Sequence, residues 1–238
     1  MFSLALKNKR IAILEDNADN RERWTDMVRS GGAEPVPVPS PAPPITGLER
    51  YLEELKASLV MCDHRLFERN YATYYGAEAV ADSYRNGRGG VLVTDYEKDD
   101  AELSIRRYRR WIPALVRALD LKLTVLESAL LQADREVREK VVSRERVPHR
   151  TIMTVRGVVP KGGEKVVRVM MSQWDPKSEV GFPLDKLPER VRPVVAPGQI
   201  LIAQVNIEAS RAEDLFFEEF ELPDPDVLKN AEALFVGS

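Results

Sequence analysis

The chain has 238 residues, a formal charge of −3 at neutral pH and a single cysteine. That length accommodates one mid-sized domain and one smaller one, and the charge argues against a wholesale polyanion-binding surface. One cysteine excludes an internal disulfide and fits a reducing compartment. Met1 to Leu6 is too short for a signal core, and no apolar run approaches the length of a bilayer span, so the expectation is a soluble cytoplasmic protein with no membrane partner.

In chain order, Arg10 to Leu14 reads as a first strand, Pro35 to Val38 as a weaker second, Leu59 to Cys62 as a third, Val91 to Thr94 as a fourth and Ile112 to Val116 as a fifth. Asn20 to Ser30, Ile45 to Leu55, Gly76 to Arg85 and Asp99 to Arg109 place apolar residues at helical spacing between them. Strands alternating with helices predict an α/β domain with a doubly wound parallel five-stranded sheet over residues 1–119. Asp120 to Val142 lacks glycine and proline, and Leu119, Leu123, Leu126, Leu130, Ala133 and Val137 alternate at spacings of four and three. This predicts a connecting helix within residues 120–147, whose seam either pairs with a second copy as a coiled coil, making a homodimer, or packs on its own domains.

After Pro148 the pattern changes. Thr151 to Val159 and Lys165 to Trp174 flank a Gly162-Gly163 turn as a hairpin. A linking segment from Asp175 to Pro197, with a helical turn over Asp185 to Val191, leads to strands at Gln199 to Ile207 and Asp214 to Leu222. These predict a small, mainly antiparallel β domain over 148–222, similar to an OB or SH3-like barrel. Residues 223–238 form a tail, helical in pattern from Val227 to Val236.

The chemistry concentrates where apolar runs end in acids. Leu59-Val60-Met61-Cys62 is followed by Asp63, and Ile11 to Leu14 by Glu15-Asp16. Two buried strands thus deliver three carboxylates to the carboxyl edge of a parallel sheet, where open α/β sheets bind ligands. Like charges at close range raise one another's pKa, and a hard divalent cation with oxygen ligands relieves the repulsion. The bland alternative is solvated acids at strand ends.

Lys7 to Val142 resembles the receiver domain of two-component response regulators, a flavodoxin-like fold. Glu15-Asp16 stands as the acid pair, Asp63 as phosphoacceptor and Thr94 as the family's Ser/Thr, while Leu115 to Leu121 is similar to its hydrophobic–Lys–Pro–hydrophobic signature. The resemblance implies phosphoryl transfer from a histidine kinase or phosphotransfer protein to Asp63, with enzymatic activity no greater than self-phosphorylation and dephosphorylation. It implies Mg²⁺ held by Asp16, Asp63 and the Arg65 carbonyl, with Glu15 behind a water, and Thr94 and Arg117 holding the phosphoryl group. Two signature positions depart: Arg117 stands for lysine and Ala118 for proline. Guanidinium keeps the charge but is a planar fork and not an equivalent of ammonium. Ala114 occupies the aromatic switch position, and the long Asp63 to Gly76 loop, with Phe67, Tyr71, Tyr74 and Tyr75, is placed to cover the acceptor.

Three readings follow: a phosphorylated regulator passing its signal to a β-domain output, a degenerate receiver acting as a phosphorylation-independent scaffold, and a nucleic-acid-binding barrel. The last draws on Arg150, Arg156, Lys161, Lys165, Arg168 and Trp174, against which stand Glu213, Asp214, Glu218, Glu219 and Glu221. The charge split favours a protein partner for the β domain, of unidentified family. Arg106 to Trp111 reads as a docking surface or a solvated helix end, and Pro35 to Pro44 as a stiff surface loop in preference to a polyproline ligand. Cys62 reads as a small buried residue, and His64 and His149 lack neighbours that make a zinc site.

Overall fold

The computed structural model describes residues 3–67, 70–95 and 98–224; the helical pattern expected from Val227 to Val236 lies outside them. The chain divides into two compact units, Met1–Asp100 with Tyr108–Ser143, and Ala101–Arg107 with Arg144–Ser238.

The N-terminal unit is built on strands β1 (Arg10–Leu14), β2 (Glu34–Pro37), β3 (Leu59–Asp63), β4 (Gly89–Thr94) and β5 (Ala114–Arg117), in the parallel order β2-β1-β3-β4-β5. The alternation of each strand splits its side chains between two buried faces. Ile11, Ile13, Leu59, Met61, Val91, Val93 and Val116 share one core with Trp24 and Val28 of α1 (Ala18–Gly31) and Leu126, Leu130 and Ala133 of α6 (Leu123–Glu139). Each such side chain contributes about 1.5–3 kcal/mol by leaving water. Opposite them, α2 (Ile45–Glu54) packs against α3 (Gly76–Arg85), burying Leu48, Leu52, Ala77 and Val80. Asn17 caps α1 by accepting the Asp19 and Asn20 N–H groups, and Gly32, at φ 93°, ends it in the left-handed region.

Two helices differ from expectation. The one expected from Asp120 to Val142 is shorter: a 3₁₀ turn occupies Ala118–Asp120, and α6 stops at Lys140, which adopts φ 56°. Of its seam, Leu126, Leu130 and Ala133 are fully buried on the sheet, Leu123 and Val137 are half-buried and Leu119 is exposed; Asp134 pairs with Lys9 and Arg138. The helix expected from Asp99 to Arg109 is two short pieces, α4 (Lys98–Glu102) and α5 (Ser104–Tyr108), then a 3₁₀ turn. Side-chain bonds to distant backbone and carboxylates, described below, override helical continuity there.

The C-terminal unit carries β6 (His149–Lys161), β7 (Glu164–Met171), β8 (Asp175–Pro183), β9 (Ile200–Val205) and β10 (Phe217–Glu221), with every pairing antiparallel and the order β10-β9-β6-β7-β8. Gly162 and Gly163, at φ 55° and 79°, close the first hairpin with positive dihedrals at both turn positions, the conformation that suits the twist of the flanking strands. The segment expected to link from Asp175 is instead the edge strand β8. Prolines at 176 and 183 hid it, and prolines are tolerated on a sheet edge. The helical turn expected from Asp185 to Val191 resolves into 3₁₀ turns at Leu184–Lys186 and Arg192–Val194. The sheet curls so that its end strands meet across the core: the Phe182 ring lies 4.9 Å from both Phe217 and Phe220.

Asn206, fully buried, staples this unit by donating to the Glu145 and Asp214 carbonyls and accepting the Phe216 N–H. Asn206→Ala strands three backbone groups, and we expect a loss of about 2–4 kcal/mol, read as a lower urea midpoint with an unchanged slope.

Candidate functional site

The order of the sheet places the site. β1 and β3 are adjacent, with Leu14 beside Cys62, so the residues that follow on β1 lie next to the end of β3. Glu15, Asp16 and Asp63 each offer a carboxylate oxygen, all within 4.8 Å of one another. Glu15 and Asp16 are buried and Asp63 is half-buried. On the next strands, Val93 lies beside Asp63, and Thr94, buried at the end of β4, lies in register with Arg117 on β5. The Arg117 side chain is exposed.

Backbone donors define part of the corner. Arg65 N–H donates to Asp63 Oδ2 at 2.8 Å, Asn17 N–H donates to Glu15 Oε1 at 3.0 Å, and His64 N–H ties the loop to the Val93 carbonyl. They do not offset the crowding. Burial first, then the Asp63 charge, holds the Glu15 carboxyl well above its usual range. Burial pushes Asp63 up to about 7, against the Arg65 and His64 N–H groups and with Asp16 and Asp95 adding to the rise.

The loop after Asp63 is long, and its described tyrosines are anchored by their hydroxyls and rings. Tyr71 and Tyr74 are buried and donate their hydroxyls to the Val38 and Pro43 carbonyls, while Ala42 N–H donates to the Tyr71 carbonyl. The proline-rich stretch is thereby held as an intramolecular loop. Tyr75 stacks on the buried His64 ring, and Phe67 meets Tyr75 edge-on. Its described aromatic residues pack against the proline loop and His64. Burial keeps the His64 imidazole well below its ordinary pKa despite the Asp100 carboxylate 3.8 Å away. The loop ends at Gly76, where a Cβ would sit 1.7 Å from the Asp63 carbonyl oxygen and 2.8 Å from Cys62 Sγ. Cys62 is fully buried, and burial and the neighbouring acids raise its thiol pKa.

Other residues singled out in the sequence have structural partners. Arg106 is buried and donates to the Leu215 and Ala212 carbonyls, Arg107 pairs with Glu164 and Asp185, and Arg109 donates to the Ile112 carbonyl. In the Arg106 to Trp111 run, Arg106 and Arg109 are buried, and Arg107, Tyr108, Arg110 and Trp111 are half-buried. In the hairpin, Lys161 and Arg168 pair with Glu102, Arg156 with Glu179, and Arg150 with Glu221. Trp174 packs on the core and donates to the Ala209 carbonyl at 2.7 Å. Sequence spacing gave no signal for Asp100 and Glu102, because both sit in an ordinary polar helix start.

No family model and no curated protein matches the sequence. Among solved structures, the chain is similar to a response regulator receiver domain protein from Clostridium thermocellum, at 13% identity and TM-score 0.43 over 56% of this chain and 99% of that one. A CheY-like receiver domain protein from Methanospirillum hungatei matches at 17% identity and TM-score 0.42, over 56% and 98%. The N-terminal receiver domain of RstA from Klebsiella pneumoniae matches at 17% and 0.41, over 53% and 99%. The five-stranded parallel sheet with flanking helices is the fold expected of a receiver, and the antiparallel sheet forms a separate unit. No helix among the described residues is long and apolar enough to cross a membrane.

The raised carboxyls carry a pH signature. A group that binds its proton more tightly when folded adds stability below its unfolded pKa, and that stability is lost as pH rises to the folded value. With chelator present, we expect stability to fall from about pH 4 to about pH 7 through Asp63, whose ordinary value is 3.8. Urea midpoints of wild type and Asp63→Asn across this range test it: the wild-type curve should fall more steeply.

Proposed function

We propose that the N-terminal unit accepts a phosphoryl group on Asp63 from a histidine kinase or phosphotransfer protein and passes the change to the C-terminal unit or to a protein bound there. The observation that carries this reading is the cluster of three carboxylates at the carboxyl edge of the parallel sheet, with Thr94 and Arg117 on the next two strands. The all-oxygen donor set, two of its members with raised pKa values, fits a hard divalent cation. Asp16, Asp63 and the Arg65 carbonyl are the residues to hold Mg²⁺, with Glu15 behind a water. Bound Mg²⁺ supplies positive charge against the phosphoryl oxygens.

In the transfer, an Asp63 carboxylate oxygen attacks phosphorus in line with the departing imidazole. An O–P bond forms as the N–P bond breaks, and the imidazole nitrogen keeps the electron pair. The Arg65 N–H at Asp63 Oδ2 orients the carboxylate so that its other oxygen serves as nucleophile. The Thr94 hydroxyl donates to one phosphoryl oxygen and the Arg117 guanidinium to others, as a fork in place of a point charge. A cytoplasmic location follows from such a donor.

The phosphorylation-independent scaffold is the second reading, and the exposed Arg117 side chain with alanine at 118 favours it. Nucleic-acid binding by the β unit gains little, because its basic hairpin residues Lys161, Arg168, Arg156 and Arg150 face carboxylates and Trp174 is partly buried against the core.

Thermal melts separate the first two readings. Millimolar Mg²⁺ with beryllofluoride should raise the melting temperature by several degrees, since a ligand at a hundred times its Kd stabilises by about 2.7 kcal/mol. Asp63→Asn should lose the beryllofluoride share, and an unchanged wild-type melt favours the scaffold. Arg117 is tested by phosphorylation rate with a small-molecule phosphodonor. Arg117→Lys should match or exceed wild type, whereas Arg117→Ala should be slower by on the order of 10²-fold, the effect of losing one oxyanion donor. Equal rates in all three proteins would remove Arg117 from the site.

A further inference from the structure

Arg65 touches two carboxylates with different parts of itself. Its backbone N–H donates to Asp63 Oδ2 at 2.8 Å, and its side-chain Nε donates to Asp100 Oδ2 at 2.9 Å. Half of the Arg65 side chain is exposed, whereas Asp100 is only 13% exposed. Asp100 is therefore the fixed member of the pair, its other oxygen 3.8 Å from the buried His64 ring.

The residue after Asp100 begins a different environment. Ala101–Arg107 belongs to the C-terminal unit, although it lies in sequence between β4 and β5. Three charged side chains seat it. The Glu102 carboxyl is buried between Lys161 and Arg168; burial pushes its pKa up, yet the bonds to these two cations hold it below its ordinary range. The buried Arg106 guanidinium donates to the Leu215 and Ala212 carbonyls and lies 5.6 Å from the centre of the Phe217 ring. Arg107 forks onto Glu164 and also reaches Asp185 at 2.8 Å. Leu103 packs at Gly162, where a Cβ would come within 3.0 Å of its methyl group. Buried charges of opposite sign, each with its own partners, make the seat costly to leave half-formed, because a buried charge without its partner is strongly destabilising.

We propose that the Arg65–Asp100 ion pair is a latch through which an anion held at Asp63 is read by the segment Ala101–Arg107. The proposal rests on the reading of Asp63 as an anion-accepting site. An ion pair with a half-exposed guanidinium is weak and redistributes readily. A phosphoryl-like group on Asp63 brings rival oxygens within reach of Arg65, and guanidinium prefers such oxygens, which it binds as a fork. The Arg65 bond to Asp100 is then exchanged for one to the anion, and the backbone that carries Asp100 runs directly into Ala101. Since packed segments shift between discrete arrangements and do not deform continuously, a small displacement at Asp100 changes how the segment is seated. Two features carry the latch: the arginine two residues after the acceptor, and the three-charge seat of the segment that follows Asp100.

Hydrogen–deuterium exchange on the full chain tests the latch, with and without Mg²⁺ and beryllofluoride, in wild type, Asp100→Asn and Asp100→Glu. Adding the mimic to wild type should change amide exchange in residues 101–107 by at least about fivefold, the low end of coupling between two sites. Asp100→Asn keeps the shape but loses the charge; its melting temperature should still respond to the mimic while its 101–107 amides do not. Asp100→Glu should restore part of the exchange response. The latch is overturned if the segment responds equally in wild type and Asp100→Asn, or if wild type shows the melting shift with no change in 101–107. A wild-type protein with neither melting shift nor exchange response removes both the latch and the reading of Asp63, and that pattern is distinct from the other two.

Discussion

Three carboxylates forced into one partly dehydrated corner constrain everything around them. Their proximity is a product of topology: β1 and β3 are neighbours in the 2-1-3-4-5 order, so whatever follows Leu14 lies beside Asp63. Close acids normally separate or face solvent, yet Glu15 and Asp16 are buried and cannot move without disturbing the central strands. The N–H donors of Asn17 and Arg65 leave the Glu15 and Asp63 pKa values raised. The corner thus concentrates negative charge where water is scarce, which favours uptake of a proton.

The rest of the N-terminal unit holds that corner rigid. Gly76 brings the start of α3 so close to the Asp63 carbonyl that even a methyl group has no room. Tyr71 and Tyr74 fasten the loop between them and β3 to the proline stretch through hydroxyl–carbonyl bonds, and Tyr75 closes over His64. Tyr71 and Tyr74 are buried, whereas Phe67 and Tyr75 remain exposed.

Much of this was legible in the sequence, for physical reasons that also set the limits. β1 and α3 follow from uninterrupted apolar patterns bounded by polar residues, and the acid trio follows from where such runs stop. The Gly162-Gly163 hairpin is written in its turn chemistry. β8 was hidden because Asp175-Pro176-Lys177-Ser178 looks like a loop, and only pairing with β7 makes it a strand. The partners of Arg106 and Arg107 were hidden for a related reason. Basic residues read as solvated unless their partners are known, and the Leu215 carbonyl, Glu164 and Asp185 lie far along the chain. Local pattern reports burial of apolar groups well, but carries no information on which distant carboxylate a guanidinium will find.

The chain crosses between its two units after Asp100, after Arg107 and after Ser143. A single cut at the last of these, the obvious place to recombine one module with another, does not separate them. It would carry away β6 to β10 while leaving Glu102, Arg106 and Arg107 behind on the other piece, and both pieces would then present buried-type charges to solvent or to one another. Exchanging the C-terminal sheet for another also requires rewriting the seven residues Ala101–Arg107, which lie between β4 and β5 in the chain. Lys161, Arg168 and Glu164 each find a partner more than fifty positions upstream.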